Sequence, residues 1–263
     1  GEGYSFSICT NLTKLILPPQ AEEVGDSVFS DCQNLSEVVF NSRLVSISRK
    51  AFSGCDRLEK VVIPESVQKI GKSALSKVQH IVFHGNPASH VAIAFIREKP
   101  ATEYMPNIAS YTIRIDLPGS KTAYMPRYVK FDDIYTISDI VSNPNLSIAD
   151  ILTLYTYASS TVSKQEAAIL TYSAYKDKAM DESGLIEKQK LYAYCKRSAK
   201  SYVESILDQN KDKNIVQVLN AGLLSNKALK DLIEEVDENS ILRTYILEAI
   251  RKTKRLQSKK FNI

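Results

Sequence analysis

The chain has 263 residues, 44% of them apolar, and a formal net charge of +4. That is enough apolar material for one large core or two ordinary ones without a metal or disulfide staple. The charge is too small to argue for nucleic acid or an anionic membrane as a general partner. The longest uninterrupted apolar run, Val91 to Ile96, falls far short of the roughly 20 residues of a membrane-spanning helix.

The first elements announce themselves by repetition. Phe6, Phe29, Phe52 and Leu75 are spaced by 23 residues, as are Cys9, Cys32 and Cys55, with Leu12, Leu35 and Leu58 three positions behind each Cys. A period of this length, with a short apolar strand in every unit, is the sequence sign of a leucine-rich solenoid. The strands are predicted at Leu15 to Leu17, Val38 to Phe40, Val61 to Ile63 and Ile81 to Phe83. Alternation sends the first and third residue of each triplet inward and the middle one outward. A second apolar stretch follows at 21–24, 44–47 and 67–70, and then a tight turn carries Phe29, Phe52 or Leu75 inward. Three cysteines in one repeat slot predict an interior column of free thiols rather than disulfides or metal ligands, and Cys195 stands alone in a helical pattern. The fourth unit is three residues shorter, which predicts the end of the stack. Register places Gly1 in the middle of a unit, and the chain opens Gly-Glu-Gly without a Met or leader, so more repeats are expected upstream.

Residues 29 to 40 (Phe-Ser-Asp-Cys-Gln-Asn-Leu-Ser-Glu-Val-Val-Phe) and 52 to 64 (Phe-Ser-Gly-Cys-Asp-Arg-Leu-Glu-Lys-Val-Val-Ile-Pro) resemble the BspA-type leucine-rich repeats of bacterial surface proteins. Val67 to Ala74 is similar to the family's segment between units, while Ser48 replaces the glycine found at Gly25 and Gly71, and Leu75 replaces the aromatic residue. The resemblance implies a right-handed solenoid used for adhesion or protein interaction. It implies an extracellular or cell-surface location, and it carries over no catalytic group. A cytoplasmic location is the alternative.

From 85 to 139, five prolines break the chain into pieces too short for long helices. A short helix is expected over Ala88 to Arg97 and an edge strand over Tyr111 to Leu117, ahead of the turn Pro118-Gly119-Ser120. Five tyrosines (Tyr104, Tyr111, Tyr124, Tyr128 and Tyr135) argue against a floppy linker. Beyond Pro144 the period is helical. Ser147 and Asp150 form a predicted capping box for a helix with the stripe Ile148, Ile151, Leu152, Tyr155 and Ala158. Further helices are expected over 168–175, 185–207 (stripe Tyr192, Cys195, Ala199, Tyr202, Ile206), 215–221, 226–236 with Ser225 as cap, and from Ile241 to about 256. The last of these resemble helical-hairpin repeats. The expected fold is thus α+β and multi-domain: leucine-rich repeats over 1–84, an irregular connector over 85–139 that completes the solenoid end, and an all-α helical-hairpin domain over 140–263.

The candidate site is the outward column of the strand face: Ile16, Val39, Val62 and Val82, with Lys14, Glu37, Lys60 and His80 beside it. Aligned apolar side chains flanked by alternating charge suit a contact surface, although branched residues also favour sheets for their own sake. The basic cluster Arg251, Lys252, Lys254, Arg255, Lys259 and Lys260 suits the end of a helix or an anionic partner. His80 and His84 lie about 13 Å apart along a strand, too far to share a metal. Gly119-Ser120-Lys121-Thr122 lacks the glycines of a phosphate loop, and the pairs Asp132/Asp133 and Glu22/Glu23 have no partner base. No cofactor is expected and no catalytic residue is assigned. The leading reading is a non-enzymatic adhesion or interaction module that binds a protein, or a host or cell-surface glycan, through the strand face of the repeats or through the helical domain. The alternatives are a structural spacer that presents the helical half, and an enzyme hosted by that half.

Overall fold

The structure is a computed structural model that describes residues 6–98, 111–209 and 211–260. Tyr104 and the slot expected for Gly1 lie outside the described residues. The chain divides into two compact units, residues 1–167 and 168–263, and the division falls within a helix.

Each 23-residue period makes one coil with three sides. On the first side lie the short strands β1 (Lys14–Ile16), β3 (Glu37–Val39), β5 (Lys60–Ile63) and β7 (His80–Phe83). β1 pairs with β3 and β5 with β7, all parallel, with Leu15 against Val38 at the 23-residue period and Val61 against Ile81 at the 20-residue offset of the shortened unit. The second side is a parallel ladder of β2 (Glu23–Val24), β4 (Ser46–Ile47) and β6 (Lys69–Ile70). The third side is built of turns whose backbones bond to the next coil, with Phe29 N donating to Ala51 O and Phe52 N to Ala74 O, both at 3.0 Å. Two turn positions per unit take positive φ: Ser27, Lys50 and Ser73 at one, and Ile8, Asp31 and Gly54 at the other. Only Gly meets that demand without a Cβ penalty, so the other five accept local strain that the ladder on either side imposes.

The core between the three sides is columnar. Phe6, Phe29 and Phe52 stack with ring centroids 5.6 and 5.5 Å apart and planes within 10° of parallel. Leu35, Leu58 and Val78 form another fully buried row. Cys32 and Cys55 are buried free thiols. Their sulfurs donate to the carbonyls of Phe6 and Phe29 in the preceding coil, at 3.2 and 3.1 Å. Burial pushes the Cys55 thiol up to about 12, so it stays protonated and serves as a donor. Gly71 is required because a Cβ there would come within 2.5 Å of Arg49 N in the coil before it. Ser48, where the pattern calls for glycine, instead donates its hydroxyl to Glu23 at 2.8 Å.

The stack does not stop at the clipped fourth unit. β7 pairs in parallel with β9 (Thr112–Leu117), and β9 pairs antiparallel with β10 (Lys121–Pro126), so the sheet runs β5-β7-β9-β10. The segment expected as an edge strand is therefore interior, and β10 is the edge. Gly119 and Ser120 form the hairpin turn at positive φ. On the turn side, a 3-10 helix (Val91–Ala94) stands where a longer helix was expected, and Ile93 O and Ala94 O accept from Ser73 N and Leu75 N. The buried Arg127 guanidinium donates to Ser76 O and Val78 O at 3.0 and 2.9 Å, satisfying carbonyls in the shortened unit. β8 (Arg97–Glu98) pairs in parallel with β11 (Tyr128–Val129).

Helix α1 (Phe131–Ser142) begins inside the stretch read as a connector, placing Ile134, Ile137 and Val141 in the core. It meets the 3-10 helix through Ser138, whose hydroxyl accepts from Ala92 N at 3.0 Å. α2 (Ile148–Thr153) starts with the expected capping box, Ser147 Oγ accepting from Asp150 N and Asp150 Oδ2 from Ser147 N. It ends after six residues and gives way to a second 3-10 helix (Leu154–Tyr157), which still buries Tyr155 as the stripe required. Next come α3 (Thr161–Tyr175), α4 (Glu182–Ile206), α5 (Asp212–Asn220), α6 (Asn226–Glu235) and α7 (Ile241–Lys260). In α4, Leu191, Cys195, Ala199, Tyr202 and Ile206 are buried, whereas Tyr192 lies at the flank, tilted over Tyr172 at 5.3 Å. Gly222 at positive φ follows α5, and Ser225 caps α6 by accepting from Ala228 N. The architecture is thus a leucine-rich β-solenoid followed by a multi-helix C-terminal region.

Candidate interaction surface

Strand alternation and parallel register together decide which side chains reach solvent on the first side of the coil. Ile16 is 63%, Val39 42% and Val62 37% exposed, and Val82 is half-buried. Ile16 is the register partner of Val39, and Val62 of Val82, so each pair forms a continuous apolar strip. Beside the strip, Lys14 and Glu37 are register partners and form an ion pair at 2.8 Å. Lys60 faces His80 across the next pair and has no ion-pair partner among the described residues.

The strip ends in a polar cluster that the sequence reading did not include. The register continues from Val82 to Asp116 and Thr122, and from His80 to Arg114 and Tyr124. Asp116 accepts from Arg114 Nε at 3.0 Å and Nη2 at 3.1 Å, and from Thr122 Oγ1 at 2.9 Å; His80 Nε2 lies 2.7 Å from its Oδ2. Burial by itself raises the Asp116 pKa, but hydrogen bonds from Arg114, His80 and Thr122 outweigh it and hold the carboxyl below its ordinary range. The hydrogen bond from its guanidinium to Asp116 pushes Arg114 up. The result is an apolar strip with one fixed charge cluster at its β9–β10 end. The alternation of Thr112 to Leu117 was visible, but its pairing with β7 depends on a long-range contact that no local pattern encodes.

His80 is engaged with Asp116 and His84 is exposed; among the described residues no group of three or more His, Cys, Asp or Glu is placed to hold a metal ion. Asp132 and Asp133 occupy the first turn of α1, where the helix dipole favours acids. Glu22 pairs with Arg43, and Glu23 accepts from Ser48. Of the basic cluster, Lys252 pairs with Glu248 at 2.7 Å within α7. The side chains of Lys259 and Lys260 lie outside the described residues. Among the described residues no helix is long and apolar enough to cross a membrane.

A family model described as the BspA type leucine rich repeat region matches residues 2–96, in six copies. No curated protein matches the chain. A solved structure of a leucine rich cell surface protein from Faecalibacterium prausnitzii is 23% identical, with a TM-score of 0.29, over 44% of this chain and 26% of that one. A leucine-rich repeat protein from Eubacterium ventriosum is 20% identical, TM-score 0.30, over 37% and 29%. One from Bacteroides ovatus is 21% identical, TM-score 0.24, over 37% and 34%. This chain spans between about a quarter and a third of the length of those proteins. Leucine-rich repeat folds generally mediate protein–protein interaction. Phe-and-Cys columns at 23-residue spacing, the parallel ladders and the family match coincide on one segment, and residues 2–96 form a leucine-rich repeat region similar to the BspA type.

Proposed function

We propose that the strand face of the repeats is a docking surface for a protein partner at a bacterial cell surface, with Ile16, Val39, Val62 and Val82 as its centre and Lys14, Glu37, Lys60 and His80 along its side. The observation that carries this reading is the exposure of Ile16, Val39 and Val62 in register on one side of the coil. Aligned apolar side chains left in water favour contact with a complementary surface. The charge pattern sets the partner's chemistry. Lys14 and Glu37 neutralise one another, and Lys60 is left to meet a carboxylate on a partner whose centre is apolar. In this reading β9 and β10 close the end of the strand face and the helical region serves a separate role.

The test is affinity capture with the full chain and with the double variant Val39→Lys/Val62→Lys, whose substituted side chains already face solvent. A partner retained by the parent chain and lost by the variant supports the docking face. Identical capture by both chains removes it and favours the repeats as a spacer.

A further inference from the structure

A pocket of about 320 Å³ opens on the turn side of the coil, away from the strand face. Its volume is at the lower end of the range that holds small ligands. It is lined by the repeat turns, through Lys50, Ser53, Lys72 and Ser73, and by the first two turns of α1, through Phe131 and Tyr135. Ile93, Ile96 and Ile134 add apolar lining.

The composition of the walls is selective. Lys50 and Lys72 stand on backbones one hydrogen bond apart, Lys50 N donating to Lys72 O at 3.0 Å. Neither has an ion-pair partner among the described residues, and none of the described lining residues is acidic. The two rings are held in place without being covered. His90 meets Tyr135 edge-on at 5.6 Å and Tyr135 meets Phe131 edge-on at 5.7 Å, yet Phe131 and Tyr135 remain 49% and 43% exposed. Two cations, serine hydroxyls and open aromatic rings around one small cavity match a ligand with an anionic group, several hydroxyls and an apolar ring face.

We propose that this pocket binds a single carboxylated sugar unit, its carboxylate held by Lys50 and Lys72, its hydroxyls by Ser53 and Ser73, and its ring face by Tyr135 and Phe131. The period explains why the site occurs at this end of the stack. Lys50 and Ser73 share one repeat slot, and the pocket forms where Phe131, Ile134 and Tyr135 of α1 line the same space as the turns of the last regular coils.

The test titrates the full chain with sodium glucuronate, with glucose and with sodium acetate, following amide signals by NMR. Glucuronate is expected to shift Lys50, Ser73 and Tyr135 and to bind roughly tenfold tighter than glucose, in line with hydrogen bonds to a charged group. Acetate, lacking the ring, is expected to bind still more weakly. Lys50→Gln/Lys72→Gln should remove the preference for glucuronate over glucose, and Tyr135→Ala should weaken both sugars; circular dichroism checks that each variant folds. The strand-face variant Val39→Lys/Val62→Lys should bind glucuronate like the parent chain, which separates this site from the docking face. Absence of shifts in the pocket, equal binding of glucose or acetate and glucuronate, or glucuronate binding unchanged by the two lysine substitutions would overturn the proposal.

Discussion

In the repeats Phe29 is covered by Phe6 on one side and Phe52 on the other, each supplied by the same slot of a neighbouring coil. In the helical unit Tyr202 is buried equally well, but within a stripe unique to α4 and with its hydroxyl accepting from Asn214 Nδ2 of α5 at 3.1 Å. The two regions bury apolar surface under different rules. A solenoid spends one residue type twice, as neighbour to the coil before and the coil after, so damage at one slot spreads along the stack. A helix pair confines it to the partners of one stripe.

The largest expected effect tests that spread. Phe52→Ala removes a ring that is 1% exposed, stacks on Phe29 and meets Phe40 edge-on at 5.8 Å. It should cost about 4 kcal/mol in urea unfolding. Hydrogen exchange should lose protection at Phe29 and Leu75 as well as at position 52, and loss confined to position 52 would break the columnar account. Next in size is Arg127→Leu, which leaves the carbonyls of Ser76 and Val78 without their donor. A cost of about 3 kcal/mol is expected from two abandoned acceptors, with exchange rising first at β9 and β10. In the helical unit, Ser225→Ala deletes one cap and should cost about 1 kcal/mol, with faster exchange restricted to the first turn of α6.

The smallest effect concerns the polar end of the strand face. Asp116 has a folded pKa below its unfolded value, so it adds stability above the ordinary Asp range near 3.9, and that stability is lost as pH falls through the folded pKa. Asp116→Asn should flatten the acid limb of a stability-against-pH curve, and by less than the Ser225 cap is worth, since Arg114 is substantially exposed and solvent screens the pair. An unchanged acid limb would show that the cluster is ornamental to the fold.

The same contrast explains what could be read from residues alone. Phe52, Cys55 and Leu58 were legible because three coils state the slot three times, and the Lys14–Glu37 pair follows from the 23-residue offset. Where a feature occurs once, the signal thinned. α1 was missed because Pro118 and Pro126 shortly before it gave the stretch the look of a connector, although Ile134, Ile137 and Val141 carry helical spacing. The interior position of β9 was missed because its partner β7 lies across a long excursion of chain, and with it went the junction of His80 with Asp116, 36 residues apart. The aromatic wall of the turn-side pocket belongs to α1, so that pocket was equally out of reach.

The proposed docking role of the strand face is tested most directly by the affinity of a captured partner for the full chain and for Val39→Lys/Val62→Lys. Two charges placed at the middle of an apolar strip should weaken binding about 100-fold, as substitutions at the centre of an interface do. Equal affinity, with both chains folded, would contradict the account.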